Sequence, residues 1–115
     1  MSGALQWAVM MANLDQVRGS EQRGVRPVLV VSNEVFNQVV PNVTVLPVTS
    51  TARELYPAEV KVKSGTAGLT RDSIVMAHQI RTISQTRLRQ TLGSIDSPQL
   101  RRAVRDAIAE HLDME

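Results

Sequence analysis

The 115-residue chain contains no cysteine, which removes disulfides, thiol nucleophiles and thiolate metal sites from consideration. A reducing, cytoplasmic setting fits that composition, and a soluble intracellular protein is the expectation. Aromatic residues are scarce too: one Trp, one Tyr and one Phe make up 3% of the chain. Few platforms exist for stacking bases, so charge, backbone donors and polar groups would carry any recognition of nucleic acid. No run approaches the roughly 18 to 20 apolar residues that span a bilayer, and no basic flank leads into an apolar secretory core. The 2 histidines lie far apart and the carboxylates are scattered, so no metal-ligand spacing is present, and neither a metal nor another cofactor is expected. Charge is nearly balanced, with 13 Lys+Arg against 11 Asp+Glu, which allows a nucleic-acid partner without demanding one.

What the chain does contain is a polar loop, Arg18-Gly19-Ser20-Glu21-Gln22-Arg23-Gly24-Val25-Arg26-Pro27, running straight into the apolar segment Val28-Leu29-Val30-Val31. Its glycines allow the backbone to approach a ligand closely, while Pro27 fixes one φ angle at the strand entrance. Ser20, Glu21 and Gln22 bring hydrogen-bonding groups, and Arg18, Arg23 and Arg26 bring charge that persists at any ordinary pH. Such a loop suits phosphate.

In chain order, residues 5–14 read as a first strand, with helix as the alternative, and Trp7 reads as a core or subunit-interface residue rather than a base-stacking one. Residues 28–31 form a strand buried on both faces, and Ser32 or Asn33 caps a short helix. Val43 to Val48 is a strand in which Pro47 marks an edge or a bulge, setting Thr49 at the rim of the sheet beside the loop. Ala58, Val60 and Val62 alternate with Glu59, Lys61 and Lys63, the pattern of a half-buried strand. Residues 73–77 form a further strand that residues 78–82 continue, with Gln79 and Arg81 on one side and His78 turned away from them as a structural or interface residue. Ser84 caps a short helix, Leu92 to Ile95 is a last strand, and Asp96-Ser97-Pro98 starts a helix with Leu100, Val104, Ala107, Ile108 and Leu112 on one face. On that helix Arg101, Arg102 and Arg105 read as a solvated face in preference to an extension of the electropositive surface. The expectation is a single domain over residues 1–115, α+β but mainly β: a strongly curled antiparallel sheet flanked by short helices and a C-terminal amphipathic helix.

Four segments in order carry a family resemblance. Glu21-Gln22 followed by Gly24-Val25-Arg26-Pro27, then Pro47-Val48-Thr49-Ser50, Gly68-Leu69-Thr70-Arg71-Asp72-Ser73 and Gln79-Ile80-Arg81-Thr82, together resemble the MazF/PemK toxins. The resemblance runs from about Leu14 to the C-terminus. It implies an SH3-like barrel of the PemK/CcdB type, with RNA, an antitoxin and a second copy of the chain as partners: a homodimeric, ribosome-independent, metal-independent endoribonuclease (mRNA interferase) that cuts single-stranded mRNA at a specific sequence to 2′,3′-cyclic phosphate and 5′-hydroxyl ends. A MazE-like antitoxin would neutralise it. The resemblance implies catalytic roles for Arg26 and Thr49, and substrate binding by Gln79 and Arg81. Glu21 is the candidate acceptor of the 2′ proton, with Arg18, Ser20 and Gln22 as further substrate contacts. At the first strand the sequence departs from the family, with Trp7-Ala8 where its members usually have Gly-Asp. The competing reading is a non-catalytic CcdB-like poison of DNA gyrase; Arg26 and Thr49 together favour the nuclease.

Overall fold

A computed structural model describes residues 3–15 and 24–114. The described residues form seven strands and two α-helices: β1 (Ala8–Asn13), β2 (Val25–Val30), α1 (Glu34–Val39), β3 (Asn42–Thr49), β4 (Glu59–Val62), β5 (Ser73–Met76), β6 (Arg81–Ser84), β7 (Leu88–Ser94) and α2 (Pro98–His111). Every pairing is antiparallel, in the order β4-β5-β3-β2-β1-β7 with β6 also on β3. The sheet is therefore mainly β, as the sequence suggests, and remains open, with β4 and β7 at the ends of the path. Among the described residues no helix is long and apolar enough to cross a membrane.

Alternating residues of the central strands serve two cores. Val28 and Val30 of β2, with Val43 and Val45 of β3, join Leu5, Ala8, Met10, Leu14 and Ile83 on one face. Leu29, Leu46 and Val48 point the other way and pack with Trp7, Ile95 and residues Val104 and Ala107 of α2. This explains the unbroken apolar run at residues 28–30, since a strand covered on both faces has no solvent side to make polar. Each fully buried Leu or Val is worth roughly 1.5–3 kcal/mol over its exposed state.

Six expectations need correction. The strand expected at residues 28–31 is Val25–Val30, taking in the end of the polar loop, and the last strand is Leu88–Ser94 rather than Leu92 to Ile95. The first strand begins at Ala8, not Leu5, because the Glu34 carboxylate accepts the amides of Leu5 at 3.0 Å and Gln6 at 2.8 Å, and Trp7 has a left-handed φ of 72°. Pro47 lies on neither an edge nor a bulge. It stands in register opposite Val28, where the other side of β3 changes partner from β6, last paired at Val45, to β5, first paired at Val48. Residues 73–82 are not one strand: Ala77–Gln79 form a 3-10 turn between β5 and β6, with the Ala77 amide on the Ala58 carbonyl at 3.0 Å. Leu112 caps α2 and is 48% exposed, outside the buried helix face.

The helix starts follow their sequence signals. Asn33 accepts the Val35 amide at 2.7 Å, and Ser97 accepts the Leu100 amide at 3.2 Å, so each cap satisfies a donor that the first turn leaves without a partner. Trp7 is 5% exposed and lies beneath the guanidinium groups of Arg101 and Arg105.

Candidate active site

Arg26 and Thr49 come together at one end of the sheet. Arg26 pairs with Ala12 across β1 and β2. The β2–β3 register matches Val28 to Pro47, Leu29 to Leu46 and Val30 to Val45. Carried on by two residues, it sets Arg26 opposite Thr49, and both line a cleft of about 350 Å³. Met11, Pro27, Val48, Leu69 and Leu92 give the cleft its apolar lining, while Ser50, Thr70, Arg71 and Ser73 add polar groups.

The Thr49 hydroxyl is held in place: it accepts the Thr51 amide at 3.2 Å and donates to the Thr51 hydroxyl at 3.1 Å. Arg26 is exposed on β2, beyond a pinned loop base. There the Leu14 amide donates to the Gly24 carbonyl at 2.8 Å, the Gly24 amide to Asp15 Oδ1 at 3.1 Å, and Arg87 to the Asp15 carbonyl at 3.0 Å. Gly24 has a φ of +80°, a conformation that glycine adopts without the Cβ penalty. Arg18, Ser20, Glu21 and Gln22 lie outside the described residues.

The segment that brings Arg71 into the cleft carries part of the family resemblance, but the sequence alone gives Arg71 no role at the site. A charged side chain inside a Gly/Thr-rich loop was the available signal. Asp72 Oδ1 accepts the Ser64 amide at 2.9 Å and Gly65 donates to the Leu69 carbonyl at 2.7 Å, closing the loop on itself. The loop lies backbone to backbone on β7. A β-carbon on Gly68, which has a φ of +78°, would run into the Leu92 carbonyl, and one on Gly93 would come within 2.6 Å of the Ala67 carbonyl carbon.

Gln79 and Arg81 do not line this cleft. The turn at residues 77–79 takes Gln79 off the strand, where its amide nitrogen contacts the Met76 sulfur at 3.8 Å. Arg81 pairs with Val45 further along β3, and its Nη1 is buried with no hydrogen-bond partner among the described residues.

His78 belongs to a separate ionic cluster that the sequence pattern did not reveal. Glu59, with a side chain 0% exposed, receives both Arg53 terminal nitrogens at 2.8 Å, the Tyr56 amide at 2.7 Å and His78 Nε2 at 2.7 Å. Burial pushes the Glu59 carboxyl up, but the Arg53 hydrogen bonds, the Tyr56 amide, His78 and the Arg53 charge outweigh it and bring it down to about 2. Alternation predicts polar Glu59 on the solvent side of β4, and only the fold reveals the partners that cover it.

The matching sequence family is described as PemK-like, MazF-like toxin of type II toxin-antitoxin system, and the match covers residues 5–112. The chain belongs to this family. It is 35% identical to a protein named endoribonuclease MazF9 from Mycobacterium tuberculosis, over 92% of this chain and 93% of that protein. It is 38% identical to endoribonuclease EndoA of Bacillus subtilis, over 76% of this chain and 77% of the relative. Among solved structures, an endoribonuclease in complex with its cognate antitoxin from a mycobacterial species superposes with a TM-score of 0.81 at 25% identity, covering 98% of each chain.

Proposed function

We propose that this protein is a sequence-specific, ribosome-independent endoribonuclease toxin that cleaves single-stranded mRNA without a metal, acts as a homodimer and is neutralised by a MazE-like antitoxin. The observation that carries the reading is the meeting of Arg26 and Thr49 in one cleft, in a chain whose relatives are named endoribonucleases. In the proposed reaction the 2′-oxygen gives up its proton and attacks the adjacent phosphorus, the bond to the 5′-oxygen breaks, that oxygen takes a proton from solvent water, and the products carry a 2′,3′-cyclic phosphate and a 5′-hydroxyl. Arg26 holds the non-bridging oxygens through its planar fork as negative charge builds on them. The Thr49 hydroxyl, held by the Thr51 amide, turns its proton from the Thr51 hydroxyl to one of those oxygens, and Arg71 adds charge from the facing loop. Glu21 is assigned the 2′ proton, with Arg18, Ser20 and Gln22 gripping the substrate beside it. Arg81 and Gln79 hold RNA outside the cleft.

End mapping of RNA fragments made in EDTA tests the chemistry. Fragments with 5′-hydroxyl and 2′,3′-cyclic phosphate ends are expected. Cleavage only when a divalent cation is restored, or 5′-phosphate ends, would overturn it.

A further inference from the structure

The arginines of α2 take no part in the cleft. Arg101, Arg102 and Arg105, with Pro98 and Gln99, line an open basin of about 500 Å³. At about 100° per residue the three arginines fall within about 100° of helix arc. Asp106 and Glu110 line a different groove, shared with Glu59 and Lys61, and Asp106 follows Arg102 about 40° further round the helix.

Two of the three are held in position. The Arg101 and Arg105 guanidinium carbons lie 5.3 and 5.1 Å from the centre of the Trp7 ring, and Arg101 Nε donates to the Ile95 carbonyl at 2.7 Å. Stacking on an indole fixes a guanidinium without neutralising it. The carboxylate paired with the cluster is Asp96, 3.7 Å from Arg101 and with a side chain 82% exposed, a contact of little energetic weight. Among the described residues Arg102 and Arg105 have no ion pair.

The chain connects the cleft to the basin through the end of β7. Leu92 lines the cleft, and Ile95, three residues further on, takes the Arg101 hydrogen bond. At about 3.3 Å per extended residue that path is about 10 Å long.

We propose that Arg101, Arg102 and Arg105 form an exosite for the phosphodiester backbone of single-stranded RNA leaving the cleft; the proposal rests on the endoribonuclease reading. Backbone contact follows from the chemistry present: guanidinium forks match phosphate oxygens, and the Trp7 ring is buried, so no stacking platform is offered to a base. Affinity gained here is independent of sequence and sensitive to salt, with a slope of about −0.7 per phosphate contact on a single strand.

Fluorescence anisotropy with a labelled, fully 2′-O-methylated RNA, which binds but lacks the 2′-hydroxyl, tests this over a range of salt concentrations. Arg102→Gln is expected to reduce the log–log salt slope by about 0.7, and Arg102→Gln/Arg105→Gln by about 1.4 with an affinity loss of about tenfold. Arg105→Lys keeps the charge and should keep the slope. Circular dichroism checks the fold, and if the double variant unfolds, the exposed Arg102 position carries the test. Unchanged slopes, no RNA binding by the wild type, or slopes that change for a labelled acidic peptide but not for RNA would each overturn the exosite. Slope changes in the variants, with no cleavage of unmodified RNA by the wild type, uphold phosphate binding on α2 and refute the endoribonuclease reading. Cleavage with unchanged slopes does the reverse.

Discussion

Gly93 of β7 meets Ala67 so closely that a β-carbon on Gly93 would stand 2.6 Å from the Ala67 carbonyl carbon. The contact seats the loop that carries Arg71, so packing at the back of the loop sets charge at its front. Gly93→Ala must push the loop outward. A stability loss of about 1–3 kcal/mol is expected from overpacking, accompanied by slower RNA cleavage. Thermal unfolding and kcat/KM measured on the same preparation check both effects; unchanged values for both would show that the loop accommodates the methyl group without moving Arg71.

Thr49→Val keeps the side-chain shape and removes the hydroxyl. The Thr51 amide loses its partner at a half-exposed position, so stability should change little, by about 1 kcal/mol. Cleavage should fall by about 10- to 100-fold if the hydroxyl orients a phosphate oxygen. Single-turnover rates at saturating protein separate this from a binding defect.

Arg71→Gln tests the residue that only the fold brought to the cleft. A rise in KM or a fall in kcat of about tenfold is expected from losing one charge beside the phosphate, with the melting temperature retained because the side chain is exposed.

The Glu59 cluster predicts an acid-sensitive fold. Its carboxyl is lowered from 4.5 to about 2 in the folded state, so the cluster stabilises the protein above about pH 4.5, and that contribution disappears as pH falls towards 2. Glu59→Gln should therefore melt below the wild type at pH 7, by an amount on the order of 2 kcal/mol after allowing for the solvent that reaches Arg53 and His78. The two melting curves should converge as pH drops from 4.5 to 2; a constant gap across that range would contradict the shift.

Much of this architecture is legible in the sequence. The apolar run at residues 28–30, the alternation at 58–62 and the caps at Asn33 and Ser97 are local signals with local causes, and each produces the element it predicts. Pro47 misleads because a proline is also tolerated where a central strand changes partners, and no local pattern announces that change. The turn at residues 77–79 hides inside an apolar and polar alternation that fits a strand equally well; its cause includes the distant Ala58 carbonyl and the Glu59 carboxylate. The same break leaves Gln79 and Arg81 off the cleft. Arg26 and Thr49 were identified by resemblance, and their register across β2 and β3 gives that pairing a physical basis.

The central claim is that Arg26 acts on the phosphate being cleaved. Purified wild-type protein and the Arg26→Ala variant, each incubated in EDTA with a mixed-sequence, unstructured RNA, test it most directly. The account predicts discrete cuts by the wild type and a rate lower by about 100- to 1,000-fold in a variant with an unchanged melting temperature. Equal cleavage by the two proteins, or none by folded wild type across varied RNA sequences, would contradict it, and the latter result would turn attention to gyrase binding.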